Sequence, residues 1–179
     1  DRAGQYAPMA ESRVGAIGRA WEAVESGRSA DGVYGLLVSL AVATAASFTA
    51  PTSGVIAATV AGSAIVFWIA HIHAHLVALW ARTDAHPAWS QVRHEAGRHL
   101  PLLVAALPAL IVLFPAHLGV YGTGTAVWLL TAVTIALLAA WGIAISRLAK
   151  LSFAAGVFIT SVNIGMGLLI VLLKVVVTH

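Results

Sequence analysis

Five long apolar stretches, separated by short polar breaks, set the pattern of this chain. They run at about Val33–Ala50, Gly54–Trp80, Leu100–Val120, Gly124–Ser146 and Leu151–Val177. Each is long enough to cross a hydrocarbon core as a helix, which takes roughly 20 residues at about 1.5 Å of rise per residue. The pattern predicts an all-α fold, a polytopic membrane helix bundle with five transmembrane helices. Pro51 and Gly54 predict a tight turn, so the first two spans form a hairpin. Pro108 falls inside the third span and predicts a kink. The fifth span is rich in Thr160, Ser161, Asn163, Gly165 and Gly167, and Ser161 with Gly165 makes a small-xxx-small pair suited to close helix packing. Ahead of the spans, Val14, Ile17, Trp21 and Val24 recur at helical spacing within a polar segment. Residues 1–30 therefore read as a cytoplasmic segment with a short amphipathic helix, and residues 31–179 as the transmembrane domain.

The first span carries two distinct surfaces. Leu36, Leu40, Ala43 and Ser47 lie on one helical stripe, at spacings of four, three and four residues. Asp31 precedes Leu36 by five residues and points about 140° away from that stripe. A carboxylate in a first helical turn suits the helix dipole, so Asp31 also fits a plain N-terminal role with lipid-facing leucines below it.

Composition narrows the class. The chain is 60% hydrophobic and 9% charged over 179 residues, with a mean hydropathy of +0.91. That balance excludes an ordinary soluble domain. There is no cysteine, hence no disulfide and no thiolate metal site. The net charge of +3 reflects topology and not a nucleic-acid partner. Arg2, Arg13, Arg19, Arg28, Arg82, Arg93, Arg98, Arg147 and Lys150 all fall on one predicted side, against Lys174 on the other. The bias predicts a cytoplasmic N-terminus, an outside C-terminus and a multi-pass protein of the cell membrane. Trp80, Trp128 and Trp141 fall where an interfacial aromatic belt belongs.

Histidines mark the second span: His71 and His75 share a face, and His73 points away. Two ligands on one face, without cysteine or a carboxylate in the span, fall short of a metal set. No metal, no haem and no other cofactor is expected, and no nucleophile–base pair suggests an enzyme. Depth draws His71 toward Asp31. Counting inward from the turn, Asp31 lies about 28 Å below Ala50 and His71 about 26 Å below Gly54. An Asp–His or Asp–Trp–His hydrogen-bond cluster follows from this matched depth, since polar groups at membrane depth take partners.

These same residues carry a resemblance. Asp31-Gly-Val-Tyr-Gly-Leu-Leu-Val-Ser-Leu resembles the first-helix signature of the transmembrane protein 175 potassium channel family, Ser-Asp followed by Gly-Val-Phe-Ala-Ile-x-Ile-Thr-Leu. Trp68-Ile-Ala-His71 is similar to that family's Trp-x-x-His, and Leu113-Phe-Pro-Ala-His-Leu-Gly-Val-Tyr-Gly122 to the end of its third helix. The family's Arg, Phe and Ser are replaced by Glu25, Ser29 and Ala30, and its usual six spans by five. The resemblance implies an oligomeric channel, with K⁺ the cation, whose first helix lines a pore shared by several domains. Leu36 and Leu40 would form its hydrophobic constriction, with Ser39 beside them and Ala43 and Ser47 continuing the lining. Asp31, Trp68 and His71 would form the supporting polar network. Narrow apolar rings of this kind gate by dewetting. The implied partners are membrane lipid, a monovalent cation and further copies of the chain, with a homo-tetramer the expected assembly and no nucleic acid. The rival readings are a non-conducting membrane scaffold and a secondary transporter; the first four spans lack the charged groups that a transporter uses for coupling.

Overall fold

The computed structural model describes residues 28–50, 52–83, 86 and 88–178. The predicted amphipathic helix around Trp21 lies outside the described residues. Seven helices follow one another among the described residues: α1 (Arg28–Ala46), α2 (Ser53–Thr83), α3 (Trp89–Arg98), α4 (Leu100–Val104), α5 (Leu107–His117), α6 (Thr123–Leu148) and α7 (Phe153–Thr178). Among the described residues, four helical stretches are long and apolar enough to cross a membrane: α2, α4 with α5, α6, and α7 to Leu173.

The first predicted turn is present. Thr52 caps α2, its backbone carbonyl accepting from the N–H groups of Val55 and Ile56 at 3.2 and 3.3 Å. The third predicted span is two helices. Regular α-helix is interrupted at Ala105 and Ala106, three and two residues before Pro108. Pro108 has no N–H to donate to the carbonyl of Val104, and its ring crowds that same carbonyl. The break therefore falls N-terminal to the proline, where α4 ends.

α1 is the central helix. It packs against α2, α4, α6 and α7. Its small residues permit this: Gly35, Ser39, Ala43 and Thr44 are all buried, with Leu40 fully enclosed among them. A Cβ on Gly35 would stand 2.7 Å from Ala105 Cβ and 2.9 Å from the Leu102 carbonyl oxygen. Glycine at that position lets the backbone of α4 lie directly against α1. Leu40, Ile56, Val60, Leu113 and Leu130 close the apolar core between α1, α2, α5 and α6. Each fully buried aliphatic side chain contributes about 1.5–3 kcal/mol where water is the reference solvent. α6 and α7 form the most extensive pair, and Gly142 seats Thr160, whose Cα would lie 2.9 Å from an added Cβ.

Two helices end in the same hydrogen-bond pattern. At the end of α5, Val120 N–H donates to Pro115 O and Gly119 N–H to Ala116 O, with Gly119 left-handed at φ 81°. At the end of α6, Leu151 N–H donates to Ser146 O and Lys150 N–H to Arg147 O, with Lys150 left-handed at φ 49°. Glycine is the usual residue at this position because it bears no Cβ. Lysine there costs about 1 kcal/mol.

Candidate metal centre

Four elements converge where α1 begins and α2 ends. Asp31 sits in the first turn of α1. His75 lies on the C-terminal part of α2, Glu95 on α3, and His99 at the junction between α3 and α4. α3 is held there by Trp68, whose indole N–H donates to the carbonyl of Ala96 at 3.1 Å. α4 is held by its seat on Gly35, one turn beyond Asp31. The two seats bring His99 against Asp31, although 68 residues separate them.

His99 is the pivot, 4% exposed. Its Nδ1 lies 2.7 Å from Asp31 Oδ2. A carboxylate only accepts, so Nδ1 carries a proton and donates it. That leaves Nε2 on the far side of the ring, and it faces Glu95 Oε2 at 3.6 Å. Glu95 Oε2 and His99 Nε2 are the two buried side-chain polar atoms without a hydrogen-bond partner among the described residues. Leaving a buried polar atom unpaired costs about 1–3 kcal/mol, and more when it is charged. Two such atoms facing each other call for a positive group between or beside them.

The separation suits an ion as well as an ion pair. An N–H···O bond spans about 2.9 Å, so 3.6 Å is long for a hydrogen bond, though within ion-pair reach. Two ligands on a tetrahedral ion with bonds of about 2.0–2.1 Å stand roughly 3.3–3.4 Å apart. The observed separation is nearer the second figure. A third donor is at hand: the ligand atoms of His75, Glu95 and His99 all lie within 4.8 Å of one another. The His75 and His99 rings are 4.6 Å apart. His75 is exposed, so its side chain has room to turn toward the pair without disturbing the core. Two imidazole nitrogens and one carboxylate oxygen form a set suited to Zn²⁺ and its neighbours rather than to Ca²⁺ or Mg²⁺, which take oxygen. Asp31 completes the arrangement from outside, since a ligating histidine ordinarily gives its second N–H to a carboxylate.

The residues expected from the sequence distribute themselves around this centre. Asp31 pairs with His99. His71 approaches the same ring at 5.7 Å between centroids, while its own Nδ1 donates to Phe67 O at 2.9 Å. Asp31 and His71 thus meet through His99, and Trp68 serves α3 rather than Asp31. His73 is exposed. Glu95 and His99 are the residues that sequence reasoning did not single out. Their signal was present: an acid and a histidine four residues apart share a helix face, as His71 and His75 do.

The stripe expected to line a pore faces the chain's own interior. Ser39, Leu40 and Ala43 are 6%, 0% and 0% exposed. Leu36 and Ser47 are half-buried, and Ser47 Oγ donates to Thr44 O at 2.7 Å. Leu40 and Ala43 have no free surface with which to line an axis between copies in this conformation. The physical reason is the placement of α1 at the centre of its own bundle, where its stripe of small and aliphatic residues is used for packing. Compared with family profiles, curated proteins and solved structures, the chain matches none.

Proposed function

We propose that this is a multi-pass membrane protein that binds one divalent transition-metal ion, of zinc type, through His75, Glu95 and His99. The observation that carries the reading is the facing pair of buried atoms that make no hydrogen bond, Glu95 Oε2 and His99 Nε2, the latter on a histidine whose other nitrogen is already held by Asp31. Three protein ligands leave a fourth tetrahedral position for water or a substrate group, the arrangement of a working site rather than a closed structural one. Five crossings with a cytoplasmic N-terminus accompany this reading. α1 is the fifth crossing element; its 19 residues reach about 28 Å at about 1.5 Å each, and the positive charges cluster at its N-terminal end. Potassium conduction is supported by motif resemblance, and the burial of Leu40 and Ala43 weighs against it.

The test is a cobalt titration of untagged, chelator-stripped protein in detergent. The expected result is stoichiometric binding with the visible absorption of a tetrahedral nitrogen–oxygen site, displaced by Zn²⁺. His99→Ala is expected to abolish the signal and Glu95→Gln to weaken it. Failure of the wild type to bind, or equal binding by His99→Ala, would end the proposal.

A further inference from the structure

A second polar feature lies away from the metal centre, at the hairpin between α6 and α7. The two helices part there around an open cavity of about 650 Å³. Its rim carries Arg147, Lys150 and Ser152, and its wall carries Ile143, Phe153 and Val157. The three wall residues are exposed, Phe153 at 88%. Cationic rim and apolar wall together match one kind of molecule, with an anionic head and a hydrocarbon tail.

Arg147 has an ordinary explanation. It stands in the last turn of α6, where a cation suits the helix dipole and the topology of the chain. Lys150 shares the topology but carries a backbone cost that Arg147 does not. Its backbone is left-handed at φ 49°, in the position that Gly119 fills at the end of α5. Glycine would satisfy the same two cap hydrogen bonds without crowding. Retaining a long cationic side chain at a conformational cost points to a use for the side chain.

We propose that the α6–α7 cavity binds an anionic phospholipid, its phosphate held by Arg147 and Lys150 and one acyl chain lying along Ile143 and Val157. Basic pockets between membrane helices recognise anionic headgroups in this way. The site is independent of the metal centre and does not rest on it. Ser152 adds a hydroxyl within the same rim. The apolar wall makes the ligand a lipid rather than free phosphate, because a soluble anion leaves that wall uncovered.

Lys150→Gly separates binding from folding. It removes the cation and relieves the left-handed strain, so the protein is expected to fold at least as well. Native mass spectrometry of the detergent-solubilised protein, with phosphatidylglycerol and phosphatidylcholine of matched chains, reads the preference. Wild type is expected to retain phosphatidylglycerol selectively. Lys150→Gly is expected to lower that selectivity about fivefold, and Arg147→Gln with Lys150→Gln about 25-fold. Lys150→Arg keeps it. Millimolar inorganic phosphate does not displace the lipid. Equal retention of both lipids by wild type, undiminished selectivity in Lys150→Gly, or displacement by free phosphate overturns the proposal. So does a dimer that dissociates in the double variant, since a second copy would then be the occupant.

Discussion

His99 and His117 stand at opposite ends of one bundle and live in different chemistry. His117 closes α5, is exposed, and lies over Gly54, whose absent side chain leaves room for the ring. No acidic residue occurs in the sequence near either turn at that end. His99 also sits at a helix end, yet it is buried between Asp31 and Glu95. The same imidazole is a packing group in one place and a poised ligand in the other. The difference comes from the company that α3 and α4 create when they fold back under α1. A histidine becomes a metal ligand when one nitrogen is fixed by a carboxylate and the other is left without a partner in a dry place.

Removing the pivot is the severest way to break this contrast. His99→Ala is expected to abolish metal binding and to cost about 3 kcal/mol of stability, because Asp31 loses its partner while largely buried. His117→Ala is expected to leave cobalt binding unchanged. A cobalt titration and a thermal melt of each variant check both statements. Equal losses in the two variants would erase the distinction between the ends.

Gly35→Ala attacks the seat rather than the site. The added methyl meets the backbone of Leu102, which has no flexible end to move aside. A loss of about 1–3 kcal/mol is expected from overpacking. Metal affinity is expected to fall with it, since α4 carries His99 away from Asp31. Gly54→Ala is the matched change at the other end, where the obstacle is the movable His117 ring, and a smaller melting shift is expected.

Asp31→Asn sharpens the comparison within the site. The amide still accepts a hydrogen bond from Nδ1 but no longer offers a charge. The fold is expected to persist, with metal affinity reduced about 10–100-fold. Isothermal titration with Zn²⁺ measures it. An unchanged affinity would reduce Asp31 to the plain helix-terminal carboxylate of its first-turn position.

The helix caps offer the smallest effects. Gly119→Ala places a Cβ at φ 81° in otherwise open space, and a loss of about 1 kcal/mol is expected from conformation alone. Lys150→Gly is expected to change stability by a similar amount in the opposite direction. Melting temperatures of the pair establish whether the two ends of α5 and α6 differ only in the residue at the cap.

Much of this architecture was legible in the chain itself. Uninterrupted apolar length marked the helices long and apolar enough to cross a membrane, four of them among the described residues, because a hydrocarbon core demands helices of a certain length whatever they pack against. Pro51 and Pro108 marked a turn and a break, because a missing N–H acts locally. The stripe of Leu36, Leu40, Ala43 and Ser47 was visible as a stripe, but not its destination. An apolar face suits a helix neighbour, a pore axis or lipid equally well, and only the tertiary structure placed Leu40 and Ala43 in the chain's own core. Depth counting brought Asp31 to the level of the second span's histidines and stopped there. The partner is His99, on a segment whose return path depends on Trp68 meeting Ala96 and on Gly35 meeting Leu102. Those are contacts between surfaces, set by shape, and no periodicity along the chain encodes them. Helix length and breaks are properties of neighbouring residues, whereas a metal centre is a property of atoms that only folding brings together.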